Sequence, residues 1–400
     1  MNEAYYYSWT KQNSASKLEI KETTVDSYLT HDNREIYDLS SCSYHLSFGL
    51  RNERLTNAIS DQYKVLPAAG PKLVYNLKQE TSQKLLKALG QNEGKIFYTV
   101  SGAEAVENAL KMARKVSGKE HILSREKSYH GASVGALSIT GDWRREGSPL
   151  LDHLTHFIPE PFENDALAKT EEIIKKVGPQ KIAAICLETI TGGNGVYIPD
   201  PNWYEGIQNL CRKYKIFLIL DEIVCGFART GKNFAFQHYN LAPDFICMAK
   251  NISGGFFPFG AVYTSKEVSD YYENEVLSCG LTNYAHPIGL RVCSEILDLI
   301  EEREFVDNIK NLEQTLKDSH QEFNQLSCVK ECRQIGNLMA VELDYKDSLS
   351  WNDFIKENLY INVSNNILII TPIMMTTPQR LKQALKKLKG VLEKLCEKIG

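Results

Sequence analysis

Two residues stand where the sequence would deliver chemistry into a site. Ile216-Phe217-Leu218-Ile219-Leu220 is a short apolar run that reads as a buried strand, and it ends at Asp221. Phe245-Ile246-Cys247-Met248-Ala249 is a second such run, and it ends at Lys250. The lysine opens a small-residue loop, Asn251-Ile252-Ser253-Gly254-Gly255, with Phe256-Phe257-Pro258 beyond it. That is a poor setting for a solvated lysine. An amine and a carboxylate, each at the carboxyl end of a buried strand, suit a pyridoxal phosphate site. There the amine is tethered to the cofactor aldehyde and the carboxylate faces the pyridinium nitrogen. Desolvation lowers a lysine's pKa and frees its amine to move a proton. Asp221 alone would read as a helix cap or an ion-pair residue; Lys250 at the end of the other run changes that balance.

Such a cofactor also needs a cradle for its phosphate. Thr99-Val100-Ser101-Gly102-Ala103-Glu104-Ala105 follows one apolar run and opens a helical pattern. Its small residues let backbone N–H groups approach an anion at a helix N-terminus. Ser101 with Glu104 also makes a capping box, and both readings hold together. Tyr129-His130-Gly131 would place an aromatic ring over one face of the cofactor, although a lone tyrosine is more often simple packing. Gly131-Ala132-Ser133-Val134-Gly135 matches the nucleophile elbow of hydrolases. That motif needs a buried strand directly before it, and Arg125-Glu126-Lys127-Ser128 stand there instead. Gly192-Gly193-Asn194-Gly195 lacks the order of a dinucleotide fingerprint and reads as a turn.

These residues must be positioned by a fold. From about residue 78 helical and strand patterns alternate: Glu80 to Leu89 is amphipathic, Ile96–Val100 is a strand, and Glu104–Val116 is a helix. Ile182–Leu187 is a further strand, and Trp203–Tyr214 is a helix between two of the strands. Strands separated by helices predict a mostly parallel sheet covered on both faces. Around Asp32-Asn33-Arg34 the segment Val25 to Leu39 reads as two strands and a turn. Toward the C-terminus, Pro287 to Glu301 and Phe305 to Gln325 are helical, Leu338–Leu343 and Ile367–Ile370 are isolated strands, and Pro378 to Lys398 is a basic amphipathic helix. Strands at both ends flanking an α/β centre predict a small domain built from the two termini.

At 400 residues the chain has room for two lobes. A net charge of −4 argues against a nucleic-acid partner. No stretch has the length and apolarity of a membrane span, and the opening residues Met1-Asn2-Glu3-Ala4 show no secretory signal. The ten cysteines are scattered, with Cys186, Cys247 and Cys293 inside apolar runs, which argues for free thiols rather than a disulfide framework. Cys328 and Cys332 lack the spacing of a zinc site, so no metal is expected. Together these features predict a reduced, cytoplasmic protein.

With these residues placed, the chain resembles the class III (omega-amino-acid) aminotransferases of pyridoxal phosphate fold type I along nearly its whole length. The most specific stretch is Leu220-Asp221-Glu222-Ile223-Val224-Cys225-Gly226-Phe227-Ala228-Arg229-Thr230-Gly231, followed at the family's spacing by Met248-Ala249-Lys250. The resemblance implies Asp221 as the pyridinium partner, Ile223 packed on one ring face, and Lys250 as the tethering lysine. It also implies Gly102 and Ala103 at the phosphate, Tyr129 stacking with His130 beside it, and Glu188 before the glycine-rich turn. Thr282 would reach the phosphate of a neighbouring subunit, so a homodimer with shared active sites is implied. The fold implied is a mostly parallel, seven-stranded type of sheet in a large α/β domain over residues 61–285. An arm over 1–60 and residues 286–400 would form the smaller α+β domain. Ser8-Trp9-Thr10-Lys11-Gln12 resembles the N-terminal segment of pyruvate-dependent members acting on beta-alanine, taurine or other omega-amines, which implies Trp9 and Tyr44 in the substrate pocket, with Tyr129.

One departure bears on the substrate. The family often carries an arginine for the substrate carboxylate in its C-terminal part, before a glycine-containing turn. Here Tyr360-Ile361-Asn362-Val363-Ser364-Asn365-Asn366-Ile367 has neither residue. A bidentate guanidinium is hard to replace, so Arg144 or Arg145 takes over or the substrate is not a standard acid. The expected reaction moves an amino group from an omega-amino acid or amine to a keto acid such as pyruvate or 2-oxoglutarate. The rivals are a mutase, racemase or decarboxylase on the same scaffold, a hydrolase using Ser133, and a catalytically silent binding protein.

Overall fold

The computed structural model describes residues 4–397. Met1-Asn2-Glu3 and the Lys398 end of the closing helix lie outside the described residues. Seven strands form the central sheet: β1 (Lys95–Thr99), β2 (His121–Arg125), β3 (Thr155–Ile158), β4 (Ile182–Glu188), β5 (Phe217–Asp221), β6 (Phe245–Met248) and β7 (Gly260–Thr264). Their order is β1-β7-β6-β5-β4-β2-β3. The five from β3 to β6 run parallel, and β7 lies antiparallel to both β6 and β1. This is the predicted mostly parallel sheet, and the expected strands match within a residue or two.

The apolar runs are continuous because both faces of the sheet are covered. Every residue of β4 is buried. Along β5, Leu218 and Leu220 enter one core while Ile219 enters another on the opposite face. The helix Gly102–Ser117 covers that second face with Ala105, Val106, Ala109, Leu110 and Ala113. Ser101 Oγ caps it by accepting from Glu104 N at 3.2 Å, and Gly118 ends it at φ 68°. Helix Pro201–Tyr214 starts at Asp200, whose carboxylate accepts from Asn202 N at 2.8 Å. It contributes Trp203, Tyr204 and Ile207 to the other core.

Two four-stranded sheets flank the centre. Ile20–Thr23, Ser27–Thr30 and Glu35–Asp38 are antiparallel neighbours, and Leu359–Tyr360 joins Glu35–Asp38 in parallel. The second sheet is Val329–Ile335, Leu338–Leu343, Ile367–Ile370 and Asn362–Ser364, all antiparallel. Leu338–Leu343 and Ile367–Ile370 are therefore direct partners, not isolated strands. Helices Arg303–Phe323 and Pro378–Glu397 cover this sheet through Leu312, Leu316, Leu381 and Leu388.

The expectation that the cysteines are all free is corrected at one pair. Cys328 and Cys396 form a disulfide, joined across 68 residues of sequence with Cα atoms 4.9 Å apart. The last turns of the closing helix pack beside the start of Val329–Ile335, a proximity that spacing along the chain cannot show. Among the described residues the other eight cysteines are free.

Candidate active site

Strand register assembles the charged floor of one cavity. Glu188 pairs with Asp221 across β4 and β5, and Asp221 pairs with Cys247 across β5 and β6. The carboxyl ends of three parallel strands thus bring Glu188, Asp221 and, two residues beyond β6, Lys250 together. Asp221 is buried; its Oδ2 lies 2.9 Å from His130 Nδ1, and its Oδ1 accepts from Ile223 N at 3.0 Å. His130 is itself fixed, with Nε2 3.3 Å from Ser124 Oγ and its N–H donated to Thr140 Oγ1 at 2.9 Å. Glu188 accepts from Tyr129 N at 3.1 Å and Gly192 N at 2.8 Å, so the glycine-rich turn is clamped to the floor. Burial raises the Glu188 carboxyl, and nearby Asp221 adds to the rise while His130 opposes it.

Lys250 leaves β6 at φ 50°, a left-handed conformation that turns its side chain into the cavity. Burial lowers its ammonium pKa, while the Asp221 and Glu188 carboxylates pull the other way. Its Nζ stands 5.3 Å from the centre of the Tyr44 ring and has no ion pair among the described residues. A half-buried amine without an ion pair beside a buried carboxylate is a group held ready for a reaction partner.

The cavity above the floor has a volume of about 760 Å³. Ser101, Gly102 and Ala103 line one end, at the start of helix Gly102–Ser117, where first-turn N–H groups have no acceptor within the helix. A Cβ at Gly102 would come within 2.8 Å of Ile223 Cδ1, so glycine lets the backbone close on the floor. Ile223 and Tyr129 line the walls. A helix N-terminus, a carboxylate and a lysine around one cavity fit pyridoxal phosphate at its anionic, ring-nitrogen and aldehyde groups.

Another part of the lining is aromatic and basic. Arg144 Cζ lies 4.6 Å from the Tyr129 ring centre, 5.1 Å from that of Trp143 and 5.7 Å from that of Trp9. Asp142 holds it through Nη1 and caps its backbone N–H, and Asn194 Nδ2 donates to Asp142 at 3.1 Å. Trp9 and Tyr44 both line the cavity, as expected. Tyr44 ends a run, Ser41–Tyr44, with φ of 45°, 47°, 63° and 74°. Each left-handed non-glycine residue costs about 1–2 kcal/mol. Where the family's arginine is missing, Asn362, Val363 and Ser364 line the wall, with the Asn362 side chain facing the Tyr44 hydroxyl.

Some expected residues stand apart. Thr282 is exposed and lines no part of this chain's cavity. Arg145 turns away, to Asp152 and the Phe157 ring. Ser133 Oγ has no hydrogen-bond partner, hence no base to activate it. Sequence reasoning missed Ser43, His45 and Gly193, which also line the cavity. Only the glycine-rich turn gave any signal of the three.

A family model for class III aminotransferases matches residues 9–392. Gamma aminobutyrate transaminase 1 of Solanum lycopersicum is 27% identical over 406 residues, covering 88% of this chain and 77% of that one. Taurine:2-oxoglutarate aminotransferase from Bifidobacterium kashiwanohense, solved with pyridoxal phosphate and glutamate, superposes with a TM-score of 0.93. It is 29% identical, with 99% of this chain and 96% of that one covered. An omega-aminotransferase from Paracoccus denitrificans, 24% identical with a TM-score of 0.92, shares the fold over 99% of this chain and 98% of its own. Strand order, floor and family match agree, and the chain belongs to the class III aminotransferases, fold type I enzymes that use pyridoxal 5'-phosphate to pass amino groups to keto acids.

Proposed function

We propose that this transaminase takes small donors carrying an acid group distal to the reacting amine, with Arg144 as the acid-binding residue. The observation that supports this is the Arg144 guanidinium, which lines the cavity and is set among Trp9, Tyr129 and Trp143. Among the described residues only Nη1 of its side chain is held by a carboxylate, which leaves the rest of the fork for an incoming anion. The three rings add cation–π attraction that holds the guanidinium in place. Taurine is the donor named for the Bifidobacterium relative, and taurine and beta-alanine both carry an acid group distal to the amine.

Bound pyridoxal phosphate supplies the aldehyde that takes up the amino group and the ring that accepts the electron pair. In our reading Lys250 tethers it and then moves the proton from the substrate carbon. Asp221, oriented by His130, keeps a negative charge where the ring nitrogen sits. The N–H groups of Gly102 and Ala103 hold the phosphate, while Ile223 and Tyr129 flank the ring. Glu188 fixes Tyr129 and the Gly192 turn in place.

A second copy would complete the site with Thr282; exposed apolar residues such as Val65, Val74 and Val276 support an unfilled contact face. Light scattering should return the mass of a dimer. Residues 61–285 would form the cofactor domain and the two terminal parts the smaller one, supported by the pairing of Leu359–Tyr360 with Glu35–Asp38. A cytoplasmic location is supported by the eight free thiols among the described residues and opposed by the Cys328–Cys396 disulfide, and cell fractionation tests it.

The test of substrate class is a panel of taurine, beta-alanine, gamma-aminobutyrate and propylamine, each with pyruvate and with 2-oxoglutarate. Acidic donors should turn over with lower KM than propylamine, and Arg144→Ala should erase that preference. A wild type that uses propylamine as well as the acidic donors, or a preference for acidic donors that survives Arg144→Ala, would sink this reading.

A further inference from the structure

Backbone strain in this chain gathers beside the substrate. Ser41, Cys42, Ser43 and Tyr44 form one turn of left-handed helix that contains no glycine. Such a turn persists only where its surroundings over-determine it, and here the bracing is dense. Asp38 is fully buried beneath it. One carboxylate oxygen of Asp38 accepts from Ser40 N at 2.6 Å. The other accepts from Cys42 N at 2.7 Å and from the Tyr28 hydroxyl at 2.8 Å. Ser41 Oγ donates to Thr371 O at 2.6 Å and accepts from Arg229 Nη2 at 3.1 Å. The same guanidinium reaches Pro372 O at 2.7 Å and Asn337 O at 3.1 Å.

The turn delivers its product directly to the cavity. Ser43, Tyr44 and His45 line it, and the Tyr44 ring lies 5.3 Å from Lys250 Nζ. Ser40 Oγ accepts from Asn362 N at 2.6 Å, so the strand that carries Asn362 hangs from the same turn, and the Asn362 side chain faces the Tyr44 hydroxyl. We propose that Asp38, seconded by Arg229, is a positioning residue for substrate: its carboxylate holds the turn left-handed and thereby sets where Tyr44 and Asn362 meet the donor. The proposal rests on the aminotransferase reading of this cavity. A neutral amide in place of Asp38 offers one acceptor oxygen where three donors need two. The turn then relaxes toward right-handed backbone and the wall moves, while the floor on β4 to β6 stays as it is.

The experiment compares wild type and Asp38→Asn holoenzymes with taurine and beta-alanine as donors, following KM, kcat and the absorbance of bound pyridoxal phosphate. The expected result is a donor KM raised about tenfold, as for loss of one hydrogen bond to a charged group. The kcat should change by less than about threefold and the absorbance band should not move. Glycine adopts left-handed backbone freely, so Cys42→Gly added to Asp38→Asn should recover most of the lost KM. An unchanged KM in Asp38→Asn overturns the proposal, as does a double variant no better than the single one. If Asp38→Asn does not accumulate folded, Ser41→Ala carries the same test. It removes only the hydroxyl that joins Arg229 to Thr371; a raised KM supports the proposal and an unchanged one overturns it. If neither donor turns over with wild type, the substrate reading has failed. The turn is then judged by aminooxyacetate, an acid that captures bound pyridoxal phosphate whatever the donor. Half-saturation of that capture should rise about tenfold in Asp38→Asn, and no rise overturns the proposal.

Discussion

The floor of the cavity and its substrate wall are built on opposite principles. Glu188, Asp221 and Lys250 come from the ends of adjacent parallel strands, so backbone register alone sets them side by side. The wall gathers Trp9, Tyr44, Arg144 and Asn362 from segments far apart in sequence, with left-handed φ at Trp9 and Tyr44. A floor of this kind is stiff and independent of the substrate's shape. A wall of irregular segments can change donor while the floor's chemistry is kept.

The contrast gives separable expectations. Lys250→Ala should lower kcat most, by roughly 10⁴-fold, since the proton carrier and the tether go together; borohydride reduction followed by peptide mapping should then find no cofactor adduct at that position. Asp221→Asn should cost roughly 10²–10³-fold in kcat, as expected for one preorganised electrostatic contact, with KM for taurine nearly constant. On the wall, Arg144→Ala should instead raise KM for acidic donors by roughly 10- to 100-fold, the equivalent of about 1.5–3 kcal/mol for a hydrogen bond to a charged group. A variant at Arg144 that lost kcat and kept KM would erase the distinction between floor and wall. Smallest for activity is Gly260→Ala. Its Cβ would stand 2.5 Å from Thr99 Oγ1 and 2.8 Å from Ser101 O. Overpacking of that kind costs about 1–3 kcal/mol, which thermal unfolding of the holoenzyme should register as a lower Tm, and cofactor affinity should weaken with it.

The same division explains what could be read from the sequence. Asp221 and Lys250 were legible because a strand buried on both faces is a continuous apolar run, and the residue that ends it is conspicuous. The helix start at Ser101-Gly102 was legible for a similar local reason, its capping pattern. Strands β2, β3 and β7 and the disulfide partner of Cys328 were not. Strands of four or five residues carry too little periodicity to stand out, and Cys396 meets Cys328 only after 68 residues of chain have packed. The wall was half legible. Trp9 and Tyr44 followed from the family resemblance, but four consecutive left-handed residues without a glycine leave no trace in composition. Their conformation is imposed by Asp38, Arg229 and Thr371, which no local window contains together.

The antiparallel strand β7 lies between β1, whose end leads to the Gly102 helix start, and β6, whose end leads to Lys250. The ends of β1 and β6 are therefore two inter-strand spacings apart, roughly 10 Å, and beyond them the chain closes in, so that a Cβ at Gly102 would lie 3.4 Å from Ala249 Cβ. The sheet acts as a fixed gauge that side-chain flexibility cannot rescale. Homologues of the coenzyme with a longer or shorter phosphate arm should consequently seat one end at the expense of the other, whatever donor is offered.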